Sequence, residues 1–308
     1  MPASEHVSVI GAELLRPNEI PAITVYGANL PEAWEAAVLA AWEHGCAMPT
    51  EYDADIDPES RVASMIMVIA DPLAEPRIHR AFPDGLEGLA TYTAEVVDGV
   101  HDGRIRGEGW SYSYHDRLCN WPGVDGYGPL ASVLAGGIEA VPHIDQIEVL
   151  AAKLAETPHS RRAQAITWNP PVDSCHHEPP CLQRIWCQMV RSGEGYLLEM
   201  NSHWRSRDGF KAAFMNIYAI SELQRRIAAR VAELAGRPVG VGRYLDVTDN
   251  FHLYGSYIRN EEIQGFVQSI GRRSFAARTF RSDDPIVREE FDRAAQRLVL
   301  EAWERLEG

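Results

Sequence analysis

The sequence predicts an α+β layer fold in one domain with insertions. Two observations carry this. Strand-like apolar runs and amphipathic helical segments are mixed along the chain without a regular βαβ rhythm. No internal repeat, low-complexity stretch or Pro/Gly-rich linker divides the 308 residues, so no domain boundary is marked.

The elements follow in order. Residues 30–45 read as a helix, with Pro31 in its first turn, Trp34, Ala37, Val38 and Ala41 on one face and Gly45 at its end. Residues 61–70 form an apolar run stopped by Asp71-Pro72, hence a buried strand. Helix is expected over 144–155, then strands over 163–168 and 182–190. A Ser192-Gly193-Glu194-Gly195 turn leads to a returning strand over 196–204. A long helix over 210–234 is closed by Gly236 and Pro238. A strand over 239–248 and an amphipathic helix over 286–306 complete the reading.

Composition narrows the function. Apolar residues at 45% and charged residues at 24% are ordinary for a soluble globular chain. No run approaches the roughly 18 apolar residues of a membrane span. The opening Met-Pro-Ala-Ser-Glu-His has no signal-peptide pattern. With 29 basic against 44 acidic residues, the net charge of −15 argues against nucleic acid and anionic membranes as partners. Small anions remain open, because a local arginine cluster can overcome that field. Five cysteines at irregular spacing suggest a reduced, cytoplasmic protein whose special cysteine is chemical.

Three stretches carry candidate chemistry. In 158–190, Arg161 and Arg162 precede Pro180-Cys181 at the head of a strand. Paired guanidinium forks suit a phosphate, and a cysteine beside cations can attack an electrophilic carbon. A small buried thiol is the commoner reading of any one cysteine. The spacing of Cys175, Cys181 and Cys187 does not match structural zinc sites. In 204–220, Arg205 and Ser206 form a second anion-binding pair before a helix. Asp208 stands at that helix's start, where N-capping is the plainer role, and Asn216 lies about two turns in. An amide among apolar neighbours can read a pyrimidine edge. In the third stretch, His252 and Tyr254 share one strand face, either as a half-buried pair or as readers of a sugar.

These pieces resemble thymidylate synthase and its pyrimidine-nucleotide hydroxymethylase relatives. The matching residues are Ile144-Asp145-Gln146-Ile147, Ser160-Arg161-Arg162, Trp168-Asn169, Pro180-Cys181, Arg205-Ser206-x-Asp208, Asn216 and His252-Leu253-Tyr254. Each motif is weak singly, but in series they are specific and span roughly residues 55–258. The segments of about 1–54 and 259–308 are divergent additions to a single domain. The resemblance implies a layered fold whose large mixed sheet forms a homodimer interface. It implies 5,10-methylenetetrahydrofolate as donor and a pyrimidine nucleoside monophosphate as substrate. It makes Cys181 the nucleophile at C6. Arg205 and Ser206 would hold phosphate with Arg61, joined by Arg161 and Arg162 of the partner subunit. Asn216 would read the base, His252 and Tyr254 the sugar, Asp208 the pterin, and Tyr114 would stand near the C5 proton.

The departures bear on the reaction. Leu182 stands where the family has a histidine, and Tyr92 where it has the catalytic glutamate. Glu95, one turn on, is the candidate in its place. The stretch bearing a screening tryptophan is shortened before Trp110, and a charged helix replaces an apolar C-terminal lid. Both changes favour water over hydride as the final reactant. The resemblance is therefore drawn toward the CMP 5-hydroxymethylases of mildiomycin-type nucleoside antibiotic pathways. A thymidylate synthase acting on dUMP and a non-catalytic nucleotide or RNA binder are the alternatives.

Overall fold

The computed structural model describes residues 7–10, 16, 18–107, 110–123 and 143–307. In chain order they form β1 (Val7–Ile10), β2 (Ala22–Gly27), α1 (Leu30–His44), β3 (Cys46–Met48), β4 (Ser60–Ile69) and β5 (Ile78–His79). Next come α2 (Gly85–Asp98), α3 (Arg104–Gly107), α4 (Tyr114–Cys119), α5 (Gln146–Glu156), β6 (Gln164–Ile166) and α6 (Pro170–Asp173). Then follow β7 (Leu182–Ser192), β8 (Gly195–Trp204), β9 (Arg207–Asp208), α7 (Ala213–Ala235) and β10 (Val239–Leu253). The chain closes with α8 (Gly255–Arg259), α9 (Glu262–Arg272), α10 (Phe275–Arg278), β11 (Thr279–Phe280) and α11 (Pro285–Glu307).

One mixed sheet organises these elements, in the order β1-β2-β4-β10-β8-β7-β6, with β3 on β4 and β9 on β10. β10 joins two part-sheets: it runs antiparallel to β4 and parallel to β8. The period-2 burial of the strands puts one face into the core, through Met65 and Met67 of β4, Ile185 and Cys187 of β7, and Leu198 and Met200 of β8. Helices α1, α2, α5 and α7 supply the rest of that core through Trp34, Leu89, Leu154 and Ile227. The opposite face carries exposed Tyr26, Val190 and Leu197.

Several boundaries differ from the sequence reading. The helix expected from 210 begins at Ala213, because Asp208 Oδ1 accepts the N–H groups of Phe210 and Lys211 and holds 208–211 in a turn. Asn216 therefore lies in the first turn of α7. The strand expected over 163–168 shortens to Gln164–Ile166, while β10 runs on past 248 to Leu253. Gly45 ends α1 with φ −60° in extended backbone; what requires glycine is its approach to the Ala41 carbonyl, which a Cβ would overlap. β2 and α2 had no counterpart in the sequence reading.

Candidate active site

The break between β8 and β9 builds the floor of the site. β10 pairs with β8 as far as Thr248 opposite Trp204 and, after a gap, pairs Phe251 and His252 with Arg207 and Asp208 in the same register. Arg205 and Ser206 are thus extruded from the ladder into a cleft of about 650 Å³. A side chain on Gly209 would collide with the Phe251 ring, and the Gly209 carbonyl accepts the Trp34 indole N–H at 2.9 Å. These contacts pin the far end of the loop.

Cys181 enters the same cleft from the start of β7. Arg205 grips the chain just before it: Nε donates to the Pro180 carbonyl at 3.0 Å and Nη2 to Pro179 at 2.6 Å. The Arg205 backbone N–H donates to the Cys181 carbonyl at 2.9 Å. Burial pushes the Cys181 thiol above its ordinary pKa; nearby Arg205 and Arg207 pull it down, and Glu178 adds to the rise. The result is a fixed, partly enclosed thiol whose ionisation burial disfavours and the two guanidiniums partly restore.

The wall beside Cys181 is aromatic. Tyr114 stacks edge-on against Trp204 at 5.7 Å, and its hydroxyl accepts the Leu182 N–H at 3.4 Å. Tyr112 packs on Tyr114, and burial together with the neighbouring Cys181 pushes its phenol up to about 12. Asn216 completes the wall, donating from Nδ2 to the Tyr92 hydroxyl at 2.6 Å.

Arg207 was not singled out in the sequence, although it stands between Ser206 and Asp208. It lies almost fully buried on the cleft floor, in a bidentate pair with Asp246, with Nη2 donating to Thr248 at 2.6 Å. Asp246 also accepts from Ser202, Trp204 and Tyr244 at 2.7–2.9 Å. Such saturation is what keeps a buried ion pair tolerable. The Tyr244-x-Asp246-x-Thr248 alternation on one strand face was the available signal.

The remaining predicted residues divide. Asp208, His252 and Tyr254 line the cleft. Asp208 Oδ2 accepts the Tyr257 hydroxyl at 2.6 Å. His252 holds Asn250 through Nδ1 at 3.0 Å, while its buried Nε2 has no partner among the described residues. Burial lowers the His252 pKa against the pull of Asp208, so a neutral ring faces the cleft. Tyr254 caps α8 just beyond the strand, with its ring 4.5 Å from that of His252.

Four of the expected site residues lie elsewhere in the protomer. Glu95 does not line this cleft: its carboxylate meets His101 Nδ1 at 2.6 Å, one turn along α2 from Tyr92. Arg61 also lies outside it, its guanidinium 6.0 Å from the Trp42 ring centre and donating to the Gly45 carbonyl. Arg161 and Arg162 are exposed on a turn beyond the protomer's own cleft. That turn is held by the sheet's open face: Trp186 Nε1 donates to the Arg161 carbonyl and Gln188 Nε2 to that of His159, both at 3.1 Å. The Asp145-Gln146 motif is structural. Asp145 caps α5, and Gln146 ties Arg117 and Ile166 together.

Comparison with known proteins agrees with this geometry. The family model described as Thymidylate synthase matches residues 106–303, well over half of the chain. A Methanosarcina acetivorans protein named "Putative thymidylate synthase" is 28% identical over 226 residues, covering 73% of this chain and 87% of its own. A Methanocaldococcus jannaschii protein of the same name is 26% identical over 231 residues, covering 73% and 88%. The structure of thermostable thymidylate synthase A from Bacillus subtilis shares the fold, with a TM-score of 0.53 at 19% identity over 78% of this chain and 84% of that one. The chain belongs to the thymidylate synthase family and is a one-carbon transferase, using 5,10-methylenetetrahydrofolate to modify C5 of a pyrimidine nucleotide.

Proposed function

We propose that the protein hydroxymethylates C5 of a pyrimidine nucleoside monophosphate, with CMP the leading substrate. The observation that carries this reading is the position of α11. The C-terminal helix docks on α2, where Arg297 pairs with Glu87, and on the start of α3, where Glu301 pairs with Arg104; none of its described residues lines the Cys181 cleft. Because that helix packs on α2 and α3 and forms no lid of the synthase type, water is favoured over hydride at the exocyclic carbon in this reading.

The chain's own residues perform the steps as follows. Arg205 and Ser206 bind the phosphate, with Arg161 and Arg162 of the partner subunit completing the clamp. The exposed outer face of the sheet, which also holds the Arg161 turn, supports such a homodimer. His252 Nε2, buried and without a partner among the described residues, suits a ribose hydroxyl, and Tyr254 packs beside it. The Cys181 thiolate adds to C6, which makes C5 nucleophilic. Bound folate supplies the one-carbon unit. Tyr114 stands ready to act on the C5 proton, and Cys181 leaves from C6 once water has added to the exocyclic carbon. The cleft volume and its phenol rings suit a pterin beside a nucleotide, and Asp208 offers a carboxylate to its N–H edge.

The test separates chemistry from substrate. Water addition releases tetrahydrofolate and a nucleotide heavier by CH2O, whereas hydride transfer releases dihydrofolate and a gain of CH2. CMP, dCMP and dUMP are each followed by dihydrofolate absorbance and mass spectrometry. A CH2O gain without dihydrofolate is expected, greatest for CMP. Stoichiometric dihydrofolate with methylated dUMP would overturn the proposal in favour of the synthase reaction.

A further inference from the structure

The buried ion pair on the cleft floor presents only its positive end to the cavity. Arg207, 2% exposed, lines the cleft together with Cys181, whereas its partner Asp246 does not. The guanidinium is fixed on three sides. Asp246 takes both Nη groups, Thr248 accepts from Nη2 at 2.6 Å, and the Trp204 ring lies 4.7 Å away. Trp204 in turn packs on Tyr114. The buried Nε–H is left without an acceptor among the described residues. A spare buried donor on a group that cannot lose its proton suits an anion formed in the cavity.

That anion is the thiolate. Burial disfavours it, Arg205 and then Arg207 favour it, and Glu178 opposes them. The phenols of Tyr112, Tyr114 and Tyr254 are all raised above their ordinary range and stay neutral beside it. Leu182, next along the chain, is buried and brings no charge. The two arginines differ in what a substrate does to them. A phosphate on Arg205 and Ser206 cancels the pull of Arg205 on the thiol just when the nucleophile is needed. Arg207 is committed to Asp246 and Thr248 below the cleft surface, so its charge is not spent on the phosphate.

We infer that Arg207 is a positioning residue for the reaction: held by Asp246, it is the cation that keeps Cys181 able to form a thiolate once the substrate phosphate has neutralised Arg205. This rests on the proposed reading of Cys181 as nucleophile and of Arg205 as phosphate ligand.

The ultraviolet absorbance of the thiolate, with that of Cys181→Ala protein subtracted, is followed against pH with and without saturating inorganic phosphate. Removing Arg207 alone would strand a buried carboxylate, so the pair is altered by amides of similar shape. Asp246→Asn leaves Arg207 uncompensated and should raise the thiolate fraction near neutral pH by roughly 3- to 10-fold. Arg207→Gln combined with Asp246→Asn removes both charges and should lower it by a similar factor, at least as strongly with phosphate present. Arg207→Lys keeps the charge and should keep about the wild-type midpoint. A merely structural pair would move the first two variants in the same direction or not at all, and either result overturns the inference. If the double variant does not fold, an unchanged midpoint in Asp246→Asn is enough to overturn it. Loss of the difference between these variants in phosphate would also overturn it. C5 hydrogen exchange surviving in Cys181→Ala would instead overturn the reading of the nucleophile, and a wild-type midpoint indifferent to phosphate the placement of phosphate at Arg205.

Discussion

At the scale of single residues, Arg205 does two jobs: it fixes the Pro179 and Pro180 carbonyls before Cys181, and its charge favours the thiolate. Because burial nevertheless raises the thiol pKa, alkylation of Cys181 by iodoacetamide should climb about tenfold per pH unit through neutrality. Peptide mapping separates it from the exposed Cys175. Arg205→Ala should slow that alkylation and lower kcat/KM by roughly 10- to 150-fold, the weight of a charge-assisted contact of about 1.5–3 kcal/mol. Cys181→Ala should abolish C5 hydrogen exchange while nucleotide still binds, read by tritium release beside calorimetry. Residue types in series made Cys181, Arg205, Asp208 and Asn216 legible in the sequence. The Arg207–Asp246 pair was hidden because its partners lie 39 residues apart and meet only through the pairing of β8 and β9 with β10.

At the scale of elements, α4 brings Tyr114 to the cleft and is tethered at its next residue. His115 Nδ1 meets Asp102 at 2.6 Å, and Gly99 leaves the space the imidazole needs, since a Cβ there would strike it. Burial disfavours the charged ring, yet Asp102 and Cys119 outweigh burial and raise its pKa to about 10. A folded pKa above the unfolded one stabilises fully below about pH 6.5 and is lost as pH rises through about 10. Urea midpoints should therefore separate wild type from His115→Gln at about pH 6 and converge above about pH 10. Element boundaries were readable where periodicity was long, as in α1, β7 and α11. They were misread at α7, where the Asp208 turn displaced the start by three residues. α2 went unread as an element, with only Tyr92 and Glu95 noticed, because Gly85 and Gly88 interrupt its amphipathic pattern at the start.

At the scale of the molecule, the turn bearing Arg161 and Arg162 hangs from the open sheet face through Trp186 and Gln188. If that face pairs two protomers, assembly and phosphate binding are one event. Arg162→Ala and Cys181→Ala should each be nearly inactive alone and regain part of the activity when mixed and re-equilibrated, through hybrid sites. Heterodimers that form without any regain would refute a shared site. Val190→Asp, placed at an exposed position of that face, should shift the sedimentation coefficient toward the monomer and lower activity in parallel.

The keystone position of β10 has a consequence for synthesis. β4 is finished at Ile69, but the strand that covers one of its edges begins only at Val239, roughly 170 residues later. At translation rates of ~5–20 residues per second, that edge waits about 10–30 s on the ribosome with its backbone groups unpaired. β8 waits for the same strand from the other side. Until β10 emerges, the nascent chain carries two incomplete sheets with open edges, the state in which strands pair with the wrong neighbour. A chain arrested before residue 239 should therefore be held by chaperones or aggregate, whereas one released after residue 253 can close the sheet in a single docking step.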